Sequence, residues 1–131
     1  MKKYSSKMPF PFSRAVEANG FLFLSGQLSM NEAGEPVRGS VEEQTCLILQ
    51  NIEATLKACG SSFEKIVRIT VWLSDMAHFQ AFNNAYRTHF SDGFPARTTV
   101  VSRLAFELDV EIEVQALAKT QQKSREITSC L

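Results

Sequence analysis

No apolar run in the 131-residue chain is longer than that of Phe21 to Leu24, far short of the ~18 residues a membrane span requires. The opening Met1-Lys2-Lys3-Tyr4-Ser5 is basic with no apolar stretch behind it, so neither membrane insertion nor secretion is expected. Net charge of one sign is also lacking: 14 basic residues balance 14 acidic ones, which leaves no broad positive field to gather phosphates. The three cysteines, Cys46, Cys59 and Cys130, are odd in number and without paired spacing. Reduced thiols and a cytoplasmic setting are the expectation. The two histidines, His78 and His89, belong to no His-x-x-x-His or Cys-x-x-Cys pattern, so a metal site is not expected.

What the sequence does contain is ordinary globular material, 44% hydrophobic and 21% charged, in a length suited to one core. Arg14 to Ala18, the turn Asn19-Gly20 and Phe21 to Leu28 read as a hairpin, because Asn-Gly accepts the positive φ values of a type I′ turn. The second of these strands reads as buried on both faces. Ser40-Val41-Glu42-Glu43 has the form of a capping box, and Val41, Thr45, Ile48, Ile52, Leu56 and Cys59 follow at helical spacing before Gly60. Ile66 to Leu73 alternates as a strand, with Val67, Ile69, Val71 and Leu73 on one face. Asp75 is a candidate N-cap for a second helix carrying Met76, Phe79, Phe82, Tyr86 and Phe90 on its apolar stripe and stopping near Gly93. Ala96 to Leu104 and the alternating Glu107 to Ala118 read as two closing strands. Residues 1–118 thus form a single expected domain, and the polar, aperiodic segment 119–131 is expected to be a flexible tail.

The resulting order, ββαβαββ, implies an α+β layer with two helices on one face of a mostly antiparallel sheet. One chain of this size has no third layer for the other face, so sister subunits are expected to cover it.

Four stretches carry a family resemblance: Pro11-Phe12-Ser13-Arg14-Ala15, Leu24-Ser25-Gly26-Gln27, Phe94-Pro95-Ala96-Arg97-Thr98, and Val110 to Ala118. With the helix around Gln44 and the Phe79 to Phe90 segment, the chain over roughly 9–118 resembles the RidA/YjgF family of imine and enamine deaminases. The resemblance implies a chorismate-mutase-like fold, a homotrimer of barrel-like form with active sites between subunits, and hydrolysis of 2-imino acids to 2-keto acids and ammonia without a cofactor.

Residue by residue, the resemblance places Arg97 at the family's substrate-binding arginine, a role suited to a planar guanidinium that grips a carboxylate with two parallel bonds. Glu113 falls at the catalytic acid that handles water, with Glu111 the neighbouring candidate on the same strand face. Ser25 matches the site serine and Asn83 the site asparagine. The chain departs from the family pattern at four places, one of them the turn after Leu104, which has Leu104-Ala105-Phe106 where Leu-Pro is usual. Phe10-Pro11-Phe12 stands where Gly-Pro-Tyr is common, so the ring of Phe12 packs over substrate without a phenolic hydroxyl. Arg14 replaces a frequent glutamine and adds positive charge near the substrate, and Thr99 stands near a frequent cysteine. Two other readings follow: a ligand-binding or regulatory trimer that keeps the clamp without turnover, motivated by Phe12, and an endoribonuclease, which the neutral charge and the lack of a suitable histidine pair disfavour.

Overall fold

The computed structural model describes residues 1–118, and the expected tail lies outside the described residues. Strands β1 (Lys2–Tyr4), β2 (Ala15–Ala18), β3 (Phe21–Leu24) and β4 (Gln27–Leu28) precede helix α1 (Val41–Ala58). Strand β5 (Ile66–Leu73), helix α2 (Phe79–Arg87), and strands β6 (Ala96–Val101) and β7 (Val110–Leu117) follow. The sheet runs β1-β2-β3-β7-β5-β6, with β4 also paired to β7. All pairings are antiparallel apart from β5 with β6. The last strand is therefore central and β6, which carries Arg97, forms an edge.

Local signals explain most of the elements. Asn19 and Gly20 take φ values of 51° and 82°, the turn that joins β2 to β3. The Ser40 side chain accepts from the Glu43 amide while the Glu43 carboxylate accepts from the Ser40 amide, closing the capping box of α1. Asp75 accepts from the Ala77 amide at 2.8 Å and starts a single 3-10 turn, Met76–His78, before α2 begins. Both helices lie on one sheet face. Ile48, Leu49, Ile52 and Leu56 of α1 pack with Phe82 of α2 against Leu22, Ile69, Val71, Ile112 and Val114. Each such side chain, fully withdrawn from water, stabilises the fold by roughly 1.5–3 kcal/mol before entropic costs.

Four expectations are corrected. Strand β3 is not buried on both faces: Phe21 and Phe23 are 40% and 42% exposed, because the helices cover only the face that carries Leu22 and Leu24. Val67 leaves the core face of β5, where the register with β7 shifts between Ile66 and Arg68; this β-bulge lets both Ile66 and Ile69 point inward. Met76 and Phe79 are exposed, since the 3-10 turn swings the start of the second helical segment off the stripe that buries Phe82 and Tyr86. The strand expected over 21–28 also breaks at Ser25-Gly26, and this break opens the mouth described below.

Candidate active site

Arg97 lies on the helix side of β6, opposite Ile69 of β5. Its Nε donates to Thr99 Oγ1 at 3.1 Å and its Nη2 to Asn83 Oδ1 of α2 at 2.8 Å. The guanidinium carbon sits 5.7, 5.2 and 4.9 Å from the ring centroids of Phe79, Phe82 and Tyr86. Two side-chain oxygens and three aromatic faces thus fix the group while its remaining N–H donors are free of protein partners among the described residues. A small cavity of about 290 Å³ opens here, bounded by Asn83, Tyr86, Arg87, Phe94, Pro95 and Arg97. The Tyr86 hydroxyl is buried beside the guanidinium but outside hydrogen-bond geometry with it, and burial pushes its pKa up to about 12.

A much larger cleft of about 980 Å³ lies between the 6–12 segment, the Ser25-Gly26 break, the exposed flank of α1 and the 105–106 turn. Its wall holds Phe12, Arg14, Ser25 and Glu111 together. Arg14 is aimed by its Nε, which donates to Thr55 Oγ1 of α1 at 2.9 Å. Ser25 donates its hydroxyl proton to the Ser13 carbonyl at 2.6 Å, so toward a ligand it offers acceptor lone pairs only. The Glu111 carboxylate lies close over Gly26, so a Cβ there would require that side chain to move aside. Burial, and secondarily the neighbouring Glu113 charge, raise the pKa of Glu111 above the ordinary glutamate value.

The structure therefore gathers the sequence-derived residues into two groups, Arg97 with Asn83 and Phe12 with Arg14, Ser25 and Glu111. Glu113 adjoins the second group. It faces the same side of β7 as Glu111 and pairs with Thr70 of β5, near enough for its charge to act on Glu111, but it does not itself line the cleft. A different constellation carries no hydrolase chemistry. Ser74 donates to Asp109 Oδ1 at 2.7 Å and His78 Nε2 lies 3.6 Å from that same oxygen, with no Ser74–His78 hydrogen bond among the described residues, so the serine–histidine relay of a hydrolase is not formed. The Gln44 side chain donates Nε2 to Asp109 Oδ2 and accepts at Oε1 from the Asp109 amide, which makes the set a brace between α1 and the start of β7. Burial raises the pKa of the Cys59 thiol, which suits core packing rather than reactivity, while Cys46 is only half-buried.

A family model described as Endoribonuclease L-PSP matches residues 5–118. The chain belongs to this family, also known as RidA/YjgF. It is 42% identical over 110 residues to a RutC family protein of Pyrococcus horikoshii, covering 82% of this chain and 86% of the relative. It is 38% identical over 109 residues to the chloroplastic Reactive Intermediate Deaminase A of Arabidopsis thaliana, covering 82% of this chain and 58% of that protein. The crystal structure of the YjgF gene product of E. coli superposes with a TM-score of 0.80 at 28% identity, covering 89% of this chain and 98% of the other. The α+β fold of the RidA/YjgF family is thereby shared.

Several contributors to the site of this RidA/YjgF member escape sequence reasoning. Thr55 looks like a helix-core residue, yet it holds Arg14. Phe79, Phe82 and Tyr86 read as a packing stripe, and only the placement of the β6 edge over α2 turns that stripe into a bed for Arg97. Phe106 carried no signal beyond an odd turn after Leu104, although its left-handed backbone, φ 60°, directs it into the cleft wall.

Proposed function

We propose that this protein hydrolyses reactive 2-imino and enamine acids to 2-keto acids and ammonia, at sites shared between copies of a homotrimer in the cytoplasm. The observation that carries this reading is the fixed, aromatic-backed guanidinium of Arg97, whose spare donors suit the two oxygens of a small carboxylate. The name of the Arabidopsis relative supports the same reaction class.

In this mechanism Arg97 holds the substrate carboxylate and Asn83 keeps the guanidinium in plane. Glu113 takes a proton from water as the water oxygen bonds to the imine carbon, and the C=N π pair moves onto nitrogen. Glu113 returns that proton to the nitrogen, giving the carbinolamine, and then carries the carbinolamine hydroxyl proton to the same nitrogen, so that the C–N bond can break. Ammonia leaves and the C=O forms. Ser25 accepts a hydrogen bond from the attacking water, and the rings of Phe12 and its neighbours exclude bulk solvent. The test is a coupled assay in which a serine or threonine dehydratase supplies the imine. The imine is expected to vanish faster with this protein present, and an unchanged decay in the presence of folded trimer overturns the assignment.

Phe12 favours one second reading, a non-catalytic trimer that binds small carboxylates, since the ring provides no hydroxyl. Calorimetric binding of 2-ketobutyrate without any acceleration of imine decay would establish it instead.

A further inference from the structure

The 980 Å³ cleft is at the upper end of the ~300–1,000 Å³ that encloses drug-sized molecules, many times what a three- or four-carbon imino acid fills. Its composition is not that of a water channel either. Phe10 stacks on Phe12 with centroids 5.9 Å apart and an 18° interplanar angle, and Phe106 closes the row at 6.3 Å from Phe10. Phe12 and Phe106 are 44% and 42% exposed, so their faces are presented to the cleft and not consumed by the core. Arg14, Ser25 and Glu111 lie along the same cleft.

The Phe106 ring is held there at a conformational cost. Phe106 and Glu107 take φ values of 60° and 54°, successive left-handed positions that a residue with a Cβ rarely occupies. The surroundings enforce them: Arg38 Nη1 donates to the Phe106 carbonyl at 2.9 Å, and the Glu107 amide returns to the Leu104 carbonyl at 3.2 Å. Beside Phe106 in the row, Phe10 lies with Pro9 against Gly34, itself at φ 80°, where a Cβ would press on the Pro9 ring at 3.0 Å. Two separate loops are thus braced to keep aromatic rings at one mouth.

We propose that this mouth is a specificity pocket for substrates whose side chain is aromatic or of similar apolar bulk, with Phe10 and Phe106 as the residues that select them. The inference rests on the function proposed above, with the carboxylate held by Arg97 of a neighbouring copy and the side chain lying along the Phe12–Phe10–Phe106 row. Aromatic faces at this separation favour a flat ring in offset or edge-on contact, which short aliphatic side chains cannot supply.

The test is calorimetric titration of the intact protein with phenylpyruvate and with 2-ketobutyrate. Phenylpyruvate is expected to bind about tenfold tighter or more, the usual scale of discrimination by an apolar pocket. Phe106→Gly removes the ring while accepting the left-handed backbone, and Phe10→Leu removes a second face by a milder change. Either substitution is expected to pull the affinity ratio toward parity through loss of phenylpyruvate binding. A wild-type ratio near one, or a preference that survives both substitutions, overturns the pocket while leaving the imine reaction standing. The neutral probe phenylacetamide separates the two readings from the other side. If it perturbs the NMR signals of Phe10 and Phe106 while neither keto acid binds, the pocket stands and the carboxylate reaction falls; if neither the keto acids nor phenylacetamide bind, both fall.

Discussion

Arg97 and Glu113 lie on opposite faces of the same sheet. Arg97 pairs with Ile69, whose side chain points toward the helices, whereas Glu113 pairs with Thr70, one residue on and therefore facing the other way. A small substrate cannot touch both side chains of one copy. Both act on one imine only if one copy lends its arginine and a neighbour its glutamate.

Mixing two inactive variants tests this arrangement. Arg97→Met and Glu113→Gln proteins, unfolded together and refolded, are expected to regain activity, because an intact arginine from one variant meets an intact glutamate from the other. Random assembly of equal amounts restores about a quarter of wild-type sites under closed cyclic symmetry. Activity no greater than that of the separate parents would overturn the shared site.

Arg97→Lys keeps the charge and discards the fork. It loses the bonds to Asn83 and Thr99 and the flat contact with Tyr86, all of which need a planar group. Affinity for a keto acid is expected to fall by on the order of 2 kcal/mol, about thirtyfold in Kd. Calorimetry at fixed ionic strength reads this directly, and an unchanged Kd would remove Arg97 from the carboxylate.

The two glutamates of β7 separate by what they change. Glu113→Gln is expected to lower turnover by roughly 10²-fold with ligand affinity retained, the usual scale of acid–base assistance. Glu111→Gln is expected to act on stability, with a sign fixed by its raised pKa. A folded-state pKa above the unfolded value of 4.5 means that the folded protein favours the protonated carboxyl, an advantage fully present below pH 4.5 and lost as pH rises through the folded pKa. At pH 7 the variant is therefore expected to melt higher than wild type, and the gap is expected to close below pH 4.5. If the turnover loss appears in Glu111→Gln and not in Glu113→Gln, the strand has been read two residues out of register.

That ambiguity shows where sequence stops being legible. Alternation identified the polar face of β7, and a two-residue shift leaves that face intact, so no periodicity distinguishes Glu111 from Glu113. The Ser40 capping box, the Asn19-Gly20 turn and both helices were readable because each is decided within a few residues. The bulge at Val67 was not, since it satisfies β7, a strand more than forty residues away. Arg97 could be singled out by its Phe94-Pro95-Ala96 context, but its partner Asn83 looked no different from Asn84 until the edge of the sheet met α2.

Tyr86→Phe removes a buried hydroxyl that has no hydrogen-bond partner among the described residues, so no bond is lost and a desolvation penalty is relieved. The variant is expected to be as stable as wild type or more stable by up to about 1 kcal/mol in denaturant titration. A marked loss of stability would reveal a partner for the hydroxyl. With the Tyr86 pKa pushed up to about 12, no limb of the pH–rate profile below pH 10 is expected to move in this variant.

The open sheet face is the basis for a prediction about assembly. Phe21, Phe23, Val100 and Leu117 are each between 38% and 42% exposed, and they share that face with Trp72, the strand partner of Glu111. Water against so many apolar side chains on one flat surface is costly, and a second and third copy remove it most simply by placing like faces around an axis. Sedimentation is expected to give about three times the 14.7 kDa chain mass at micromolar concentration. Phe23→Lys places a charge in the middle of the face and leaves the helix-side core untouched, since Phe23 pairs with Gln115 on the far side from Leu22 and Leu24. This variant is expected to sediment near the monomer mass with wild-type helical circular dichroism and to lose imine hydrolysis. A Phe23→Lys monomer that retained full turnover would show that one copy suffices, and would defeat the division of labour between Arg97 and Glu113.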